Sequence, residues 1–374
     1  MEQIVISGTG VFTPEESITN KELVNAYNSY AESYNSNNDD DINLGNKVPL
    51  ELSNEEFIFN ASGIKNRYVM DKKGILDPNI MHPILDKRSN DEPSILAEMS
   101  LKAAKKAMKM ANKKAKDIDA VITACSNLER AYPAISIEVQ ELLGIKGFAF
   151  DMNVACSSAT FAIQAASDMI KSGSAKTILI VDPEICSGHL DFKDRDCHFI
   201  FGDVCTAMIL EKKDTVQSNN SFEILSTKCI TQFSNNIRNN FGFLNNAKKS
   251  SPLDRDLLFM QEGRKVFKEV VPMVSQLIID HVKEEKIKIG EIKRLWLHQA
   301  NKSMNDFIGK KVLGRIPKDH EQPNILQDYA NTSSAGSIIA FSLYSEDMKS
   351  DEIGVLCSFG AGYSAGSIIL KKTS

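Results

Sequence analysis

"NVACSSATFAIQAASDMIKSG", residues 153–173, sets a cysteine between an apolar approach and a run of small residues that continues with helical spacing. The plan recurs in "DYANTSSAGSIIAFSLYSEDMKS" (328–350), again a small-residue turn that becomes a helix. Two further pairs flank these in the same order. "LKAAKKAMKMANKKAKDIDAVITACSN" (101–127) and "VSQLIIDHVKEEKIKIGEIKRLWLHQAN" (274–301) are each a helix, a basic turn, an acidic step and a strand ending in Asn. "FIFGDVCTAMILEKKD" (199–214) matches "CSFGAGYSAGSIILKKTS" (357–374). Three pairs in one order, roughly 150 to 175 residues apart, describe a duplicated strand–helix unit rather than a short-period solenoid. Alternating strands and helices imply α/β layers. We read residues 1–215 as the half carrying the cysteine and residues 216–374 as its partner half. Residues 28–54, rich in Asn, Ser and Asp, form the least structured stretch, part of a surface insertion over about 25–60 that is helical only at its start.

Composition narrows the function classes. The chain has 374 residues, 42% hydrophobic and 25% charged, with a net charge of −5, so nucleic acid is not its expected partner. No run of about 18 apolar residues predicts a membrane span, and the start "MEQIVISGTGVFTP" reads as a strand and turn, not a secretion signal. Seven scattered cysteines without framework spacing fit reduced thiols in a cytoplasmic enzyme.

If the halves pack face to face, Cys156, His298 (just past a strand end in "LWLHQAN") and Asn331 (at the turn corresponding to that of Cys156) meet at one centre. A cysteine at a helix N-terminus faces free N–H groups that favour the thiolate, the reactive form. A His and an Asn can polarise a carbonyl or shuttle a proton. The glycine-rich "FGAGYSAG" (359–366) offers amides for an oxyanion. Alone, each residue has an ordinary explanation: core thiol, satisfied core histidine, helix cap. "CSGHLDFKDRDCH" (186–198) holds two Cys and two His but lacks the paired spacing of a zinc site, so no metal is expected. "GTG" at 8–10 lacks the third glycine of a dinucleotide fingerprint.

Together, "ACSSATFA", "LHQANKS", "YANTSSAGS", "FGDVCTA" and the terminal "SFGAGYSAGS" resemble the β-ketoacyl-acyl-carrier-protein synthase III family of the thiolase superfamily, over nearly the whole chain outside residues 25–54. The resemblance implies a five-layer αβαβα fold and a cytoplasmic homodimer. It implies decarboxylative condensation of an acyl-CoA primer, acetyl or medium-chain such as octanoyl, with malonyl-ACP in fatty acid biosynthesis, without a cofactor. Cys156 matches the acylated nucleophile, His298 and Asn331 the decarboxylating pair, and the amides of Cys156 and Ala361 the oxyanion hole. Arg195, Phe57, Tyr132 and Phe267 fall at substrate-binding positions, Tyr132 where an aromatic residue crosses the dimer interface. Lys310 and Lys311 fall where the acyl carrier protein docks.

The departures concern the donor. Phe57 and Ala61 stand where the best-known members clamp adenine with Trp and Arg, and Ser303 replaces a second coenzyme A arginine. Only Arg195 survives from that set. Ala330 replaces the glycine before Asn331, a small change. Two other activities share the pattern: condensation of two acyl-CoA units, or acyl transfer to a specialised acceptor, within the superfamily; and a Cys-His-Asn thiol hydrolase, whose signature residues around the cysteine are missing.

Overall fold

Strand Ile4–Phe12 lies where the two halves join. On one side it runs antiparallel to Asp203–Lys212, which runs antiparallel to Thr177–Ile185; Ala120–Ala124 and Phe148–Met152 then add in parallel. On the other side it meets Phe222–Thr231 through the pairs Val5–Glu223 and Ile6–Phe222. From there the same sequence of senses repeats: antiparallel to Ser364–Lys372, antiparallel to Ile353–Gly360, parallel to Ile292–Leu297. The computed structural model that shows this describes residues 2–247, 251 and 254–373.

The duplication read from the sequence lies on this topology. Helix Ile95–Ala111 with strand Ala120–Ala124 corresponds to helix Gly263–Glu284 with strand Ile292–Leu297. Helix Ser158–Ser172 corresponds to Ala335–Leu343, and strand Asp203–Lys212 to Ser364–Lys372.

Strand periodicity builds the layers, because alternate side chains face opposite sides of a sheet. Ile178 and Ile180 point to the core shared with helices Ser158–Ser172 and Ala335–Leu343. Leu179 and Val181 point the other way, to helices Ile95–Ala111 and Ile135–Leu143. In the second half Trp296 and Leu356 face the shared core, while Leu295, Leu297 and Val355 face helices Gly263–Glu284 and Lys302–Leu313. The result is helix, sheet, paired central helices, sheet, helix: the five-layer αβαβα arrangement.

Gly8 and Gly10 acquire a role unrelated to nucleotides. A Cβ on either would sit 2.3 or 2.1 Å from the carbonyl oxygens of Ala107 and Ala103, so they let the alanine-rich face of helix Ile95–Ala111 lie directly on strand Ile4–Phe12.

Residues 25–60 are more ordered than their composition predicts. Thr19 and Glu22 form a capping box that starts helix Asn20–Asn37, followed by Asp39–Asn43 and Glu55–Ser62. Leu23, Tyr27 and Ala31 bury against Phe192 and Phe199. The asparagines that suggested disorder serve as backbone partners: Asn35 Oδ1 accepts from Leu50 N (2.8 Å), and Asn28 Oδ1 accepts from Ser53 N (2.8 Å). This segment therefore forms a packed wall beside residues 186–201.

Candidate active site

Strand Phe148–Met152 ends at a turn that delivers Cys156 two residues ahead of helix Ser158–Ser172. Asn153 Oδ1 accepts from Ala155 N (2.8 Å), and Ala155 takes φ +46°. The second half closes over this turn: Ser157 Oγ donates to Ser364 O (2.9 Å), and Ser364 Oγ to Val154 O (3.3 Å). Gly360 makes the approach possible, since a Cβ there would fall 2.5 Å from Cys156 Cβ and 2.9 Å from its Sγ.

His298 follows strand Ile292–Leu297, its N–H donating to Cys357 O (2.8 Å) and its ring edge-on to Phe359 at 5.2 Å. Asn331 is pinned on both sides, its N–H donating to Ile200 O and its carbonyl accepting from Gly202 N, each at 3.0 Å. Its side-chain Oδ1 accepts from Ser333 N (2.9 Å), so the amide NH₂ is the donor left for a ligand. Ala330, just before it, has φ 55° and ψ −159°, a conformation that belongs to glycine. The replacement, expected from the sequence to be a small change, instead places an alanine in strained backbone at the turn that carries Asn331.

Cys156, His298 and Asn331 line one cavity of about 670 Å³. Burial dominates its electrostatics. It pushes the Cys156 thiol up to about 11; the Ser333 hydroxyl (3.4 Å from Sγ) and the amides of Ala361 and Cys156 pull it down, and the Glu184 charge works with burial. The helix-terminus argument predicts an activated thiolate; in this cavity desolvation outweighs it. Burial also lowers His298 to about 4, so its ring is neutral near pH 7. Its Nδ1 has no hydrogen-bond partner among the described residues. A neutral imidazole and an amide NH₂ beside a thiol, with two amides directed at the sulfur, can receive the developing oxygen charge of a thioester.

The other expected residues are placed unevenly. Phe57, Phe267, Ala61 and Ser303 line the cavity. Arg195 does not. Its guanidinium stacks 4.1 Å above Phe57, its Nε donates to Leu52 O (2.9 Å), and Glu51 lies 3.6 Å from it. Arg264, which the sequence did not single out, lines the cavity instead, from the first turn of helix Gly263–Glu284. Tyr132 is 85% exposed and lies outside the cavity. Lys310 and Lys311 are exposed on the last turn of helix Lys302–Leu313, whose first turn supplies Ser303 and Met304 to the cavity.

Residues 186–198 diverge: His189 packs on Phe201 and Phe259, and His198 stacks on Tyr27 at 4.8 Å. No group of three metal-ligating side chains is found among the described residues.

A second cavity of about 280 Å³, lined by Leu85, Leu96, Leu128, Ile185, Leu257 and other mainly apolar residues, lies behind an aromatic wall. Phe201 and Phe259 face the cavity that Cys156 lines and His189 faces the second one; the two phenyl rings pack edge to face at 4.7 Å. No sequence motif marks this chamber, because its residues come from six separate segments.

Comparisons with known proteins identify the family. Residues 150–232 match the family described as 3-oxoacyl-[acyl-carrier-protein (ACP)] synthase III, and residues 282–372 match its C-terminal part. The chain is 58% identical over 347 residues to the β-ketodecanoyl-[acyl-carrier-protein] synthase of Pseudomonas aeruginosa, covering 93% of this chain and 99% of that protein. It is 27% identical over 380 residues to a β-ketoacyl-[acyl-carrier-protein] synthase III of Clostridium perfringens, covering 99% and 100%. The crystal structure of 3-oxoacyl-[acyl-carrier-protein] synthase III from Aquifex aeolicus superposes with a TM-score of 0.76 at 23% identity, covering 98% of this chain and 99% of that one. The priming β-ketosynthase of the R1128 polyketide pathway superposes with 0.77 at 20% identity, covering 99% and 96%.

Proposed function

Because the chain belongs to the β-ketoacyl-acyl-carrier-protein synthase III family of acyl-transferring condensing enzymes, we propose that it extends a medium-chain primer, octanoyl-CoA above all, with malonyl-ACP to give 3-oxodecanoyl-ACP. The observation that carries the chain length is the apolar chamber one aromatic layer beyond the catalytic cavity. The name of the Pseudomonas relative agrees: a ten-carbon product is an eight-carbon primer plus the two carbons retained from malonyl. Each buried methylene contributes about 0.8 kcal/mol, so octanoyl, with six more methylenes than acetyl, gains several kcal/mol where the chamber receives it.

In this scheme Cys156 Sγ attacks the primer thioester. The tetrahedral oxygen sits between the amides of Cys156 and Ala361, and coenzyme A leaves as the thiol, carrying the proton that Cys156 gives up. Malonyl-ACP then enters and loses CO₂. His298 and the Asn331 NH₂ hold the thioester oxygen as enolate charge grows, where stabilisation lowers the barrier most. The enolate carbon attacks the acyl group, and the Cys156 thiolate is released.

Arg264 at the cavity mouth holds the donor's phosphates, since Arg195 is engaged by Leu52 and Glu51. Lys310 and Lys311 receive the acidic carrier protein. The working unit is a cytoplasmic homodimer of chains, each with halves at 1–215 and 216–374. In it Tyr132, on the loop that follows Asn127 and Glu129 of the second chamber, bounds the partner's acyl site. No helix among the described residues is long and apolar enough to cross a membrane.

Condensation rates with acetyl-, octanoyl- and dodecanoyl-CoA, each with malonyl-ACP, test the proposal. Octanoyl-CoA should give the highest kcat/KM; a preference for acetyl-CoA would overturn the chain length.

A further inference from the structure

We infer that Asp182 is held as a carboxylic acid that acts through Ser334 to position the catalytic turn 331–335, making it a positioning residue for the condensing reaction proposed above. The argument is an accounting of protons. Asp182 and Glu184 lie two apart on strand Thr177–Ile185, and both are fully buried. Ser334 Oγ sits 2.5 Å from Asp182 Oδ1 and 3.0 Å from Glu184 Oε1. A hydroxyl has one proton, so it can donate to only one of two carboxylates. The other contact needs a proton of its own, carried by the carboxyl group.

The remaining partners say which one carries it. Glu184 accepts from Ser126 N (2.9 Å), Ser126 Oγ (2.5 Å) and Ser334 N (3.4 Å), a set of donors suited to a carboxylate. Apart from Ser334, Asp182 has a single side-chain donor, Thr206 Oγ1, at 3.3 Å. The relay therefore runs from Asp182 Oδ1–H to Ser334 Oγ, and from Ser334 Oγ–H to Glu184. The charged and titratable groups that act on the pair or are acted on by it are Cys125, Cys156, Cys186 and Cys205. Asp203, on the neighbouring strand, acts on Cys186. No Lys, Arg or His forms an ion pair with either carboxyl among the described residues. Burial raises both groups, Glu184 to about 7 and Asp182 well above its usual range.

The consequence reaches the nucleophile through one residue. Ser333, next to Ser334, donates its hydroxyl to Cys156 Sγ and its N–H to Asn331 Oδ1. Loss of the relay proton leaves two anions facing across one hydroxyl and releases the turn that carries both contacts.

The rate of Cys156 acylation by octanoyl-CoA, followed by intact mass from pH 6 to 9, tests this with Asp182→Asn and Asp182→Ala. In the native enzyme thiolate formation raises the rate with pH and relay ionisation lowers it, so the rate levels off above the pair's titration. Asp182→Asn keeps a permanent donor to Ser334, and its rate should go on rising about tenfold per pH unit. Asp182→Ala should be slow at every pH. Two readouts do not need turnover. Cys156 alkylation by iodoacetamide should show the same contrast in pH dependence, and the infrared band of a protonated carboxyl should be present in the native protein and absent from Asp182→Asn. An alkaline plateau that persists in Asp182→Asn, or no band lost, overturns the inference. Failure of every acyl-CoA to acylate Cys156 would instead overturn the functional proposal, while alkylation and infrared would still decide the role of Asp182.

Discussion

Gly360→Ala is the most direct test of how the two halves build the oxyanion site. The new Cβ would lie 2.9 Å from Cys156 Sγ and 2.5 Å from Cys156 Cβ. Nonbonded heavy atoms rest at about 3.5–4 Å, so either the nucleophile or the 359–366 turn must move by about 1 Å. A displacement of that size costs roughly 10²-fold in rate, equivalent to about 2.7 kcal/mol of barrier. Overpacking a close-packed core also costs about 1–3 kcal/mol of stability, which lowers Tm by several degrees. The assay is single-turnover acylation of Cys156 by octanoyl-CoA, read by intact mass well below the variant's Tm, with circular dichroism confirming the fold. Alkylation by iodoacetamide serves as the control, because it forms no oxyanion. Acylation should fall about 10²-fold and alkylation by much less. Acylation within about threefold of the native enzyme would show that the turn yields without cost, and that the Cys156 and Ala361 amides are not held in register by this contact.

His298→Ala and Asn331→Ala should each lower malonyl decarboxylation by about 10²–10³-fold while sparing most Cys156 acylation; CO₂ release and acyl-enzyme mass measure the two halves, and equal loss of both would contradict the division of roles. Because His298 is held neutral down to about 4, decarboxylation should stay level from pH 8 to about 5 rather than titrate near 6.5. The same depression has a stability sign. The unfolded chain takes up the proton below 6.5 and the fold only near 4, so the contribution is present above 6.5 and is lost as pH falls toward 4, a span worth about 3 kcal/mol; because His189, His198 and His281 are depressed alike, the check is the difference in thermal midpoint between the native protein and His298→Gln across that range, which should shrink as pH falls. Arg264→Ala should raise KM for octanoyl-CoA about tenfold and leave octanoyl-pantetheine, which lacks the phosphates, unchanged, whereas equal effects on both would remove Arg264 from phosphate binding. Phe259→Ala, which removes one ring of the wall between the chambers, should raise kcat/KM for octanoyl-CoA and longer primers relative to acetyl-CoA in the same condensation assay, and an unchanged ratio would take the second chamber out of the acyl site.

What was legible in the sequence was what short-range patterns encode. Cys156 and Asn331 were found because the turns that carry them recur, and the recurrence predicted that the halves face each other; the paired central helices are that prediction in three dimensions. Gly8 and Gly10 were visible as unusual but not as helix-packing positions, since their partners Ala103 and Ala107 lie about a hundred residues away. Residues 25–60 misled by composition: Asn28 and Asn35 look like disorder in a list and act as backbone partners in the fold. Arg195 shows that a matched position does not give a side chain's surroundings, because it stacks on Phe57 and donates its Nε–H to Leu52 O, a residue of the very segment that departs from the family pattern. The thiol of Cys156 shows the limit of local electrostatics. A helix terminus lowers its pKa over one turn, but the walls that raise it to about 11 come from both halves at once. Chemistry that depends on which residues are near survives translation from sequence. Chemistry that depends on how much water is excluded, as at Cys156, His298 and the Asp182–Glu184 pair, belongs to the assembled cavity, and substitutions that change packing without touching a reactive group should perturb it most.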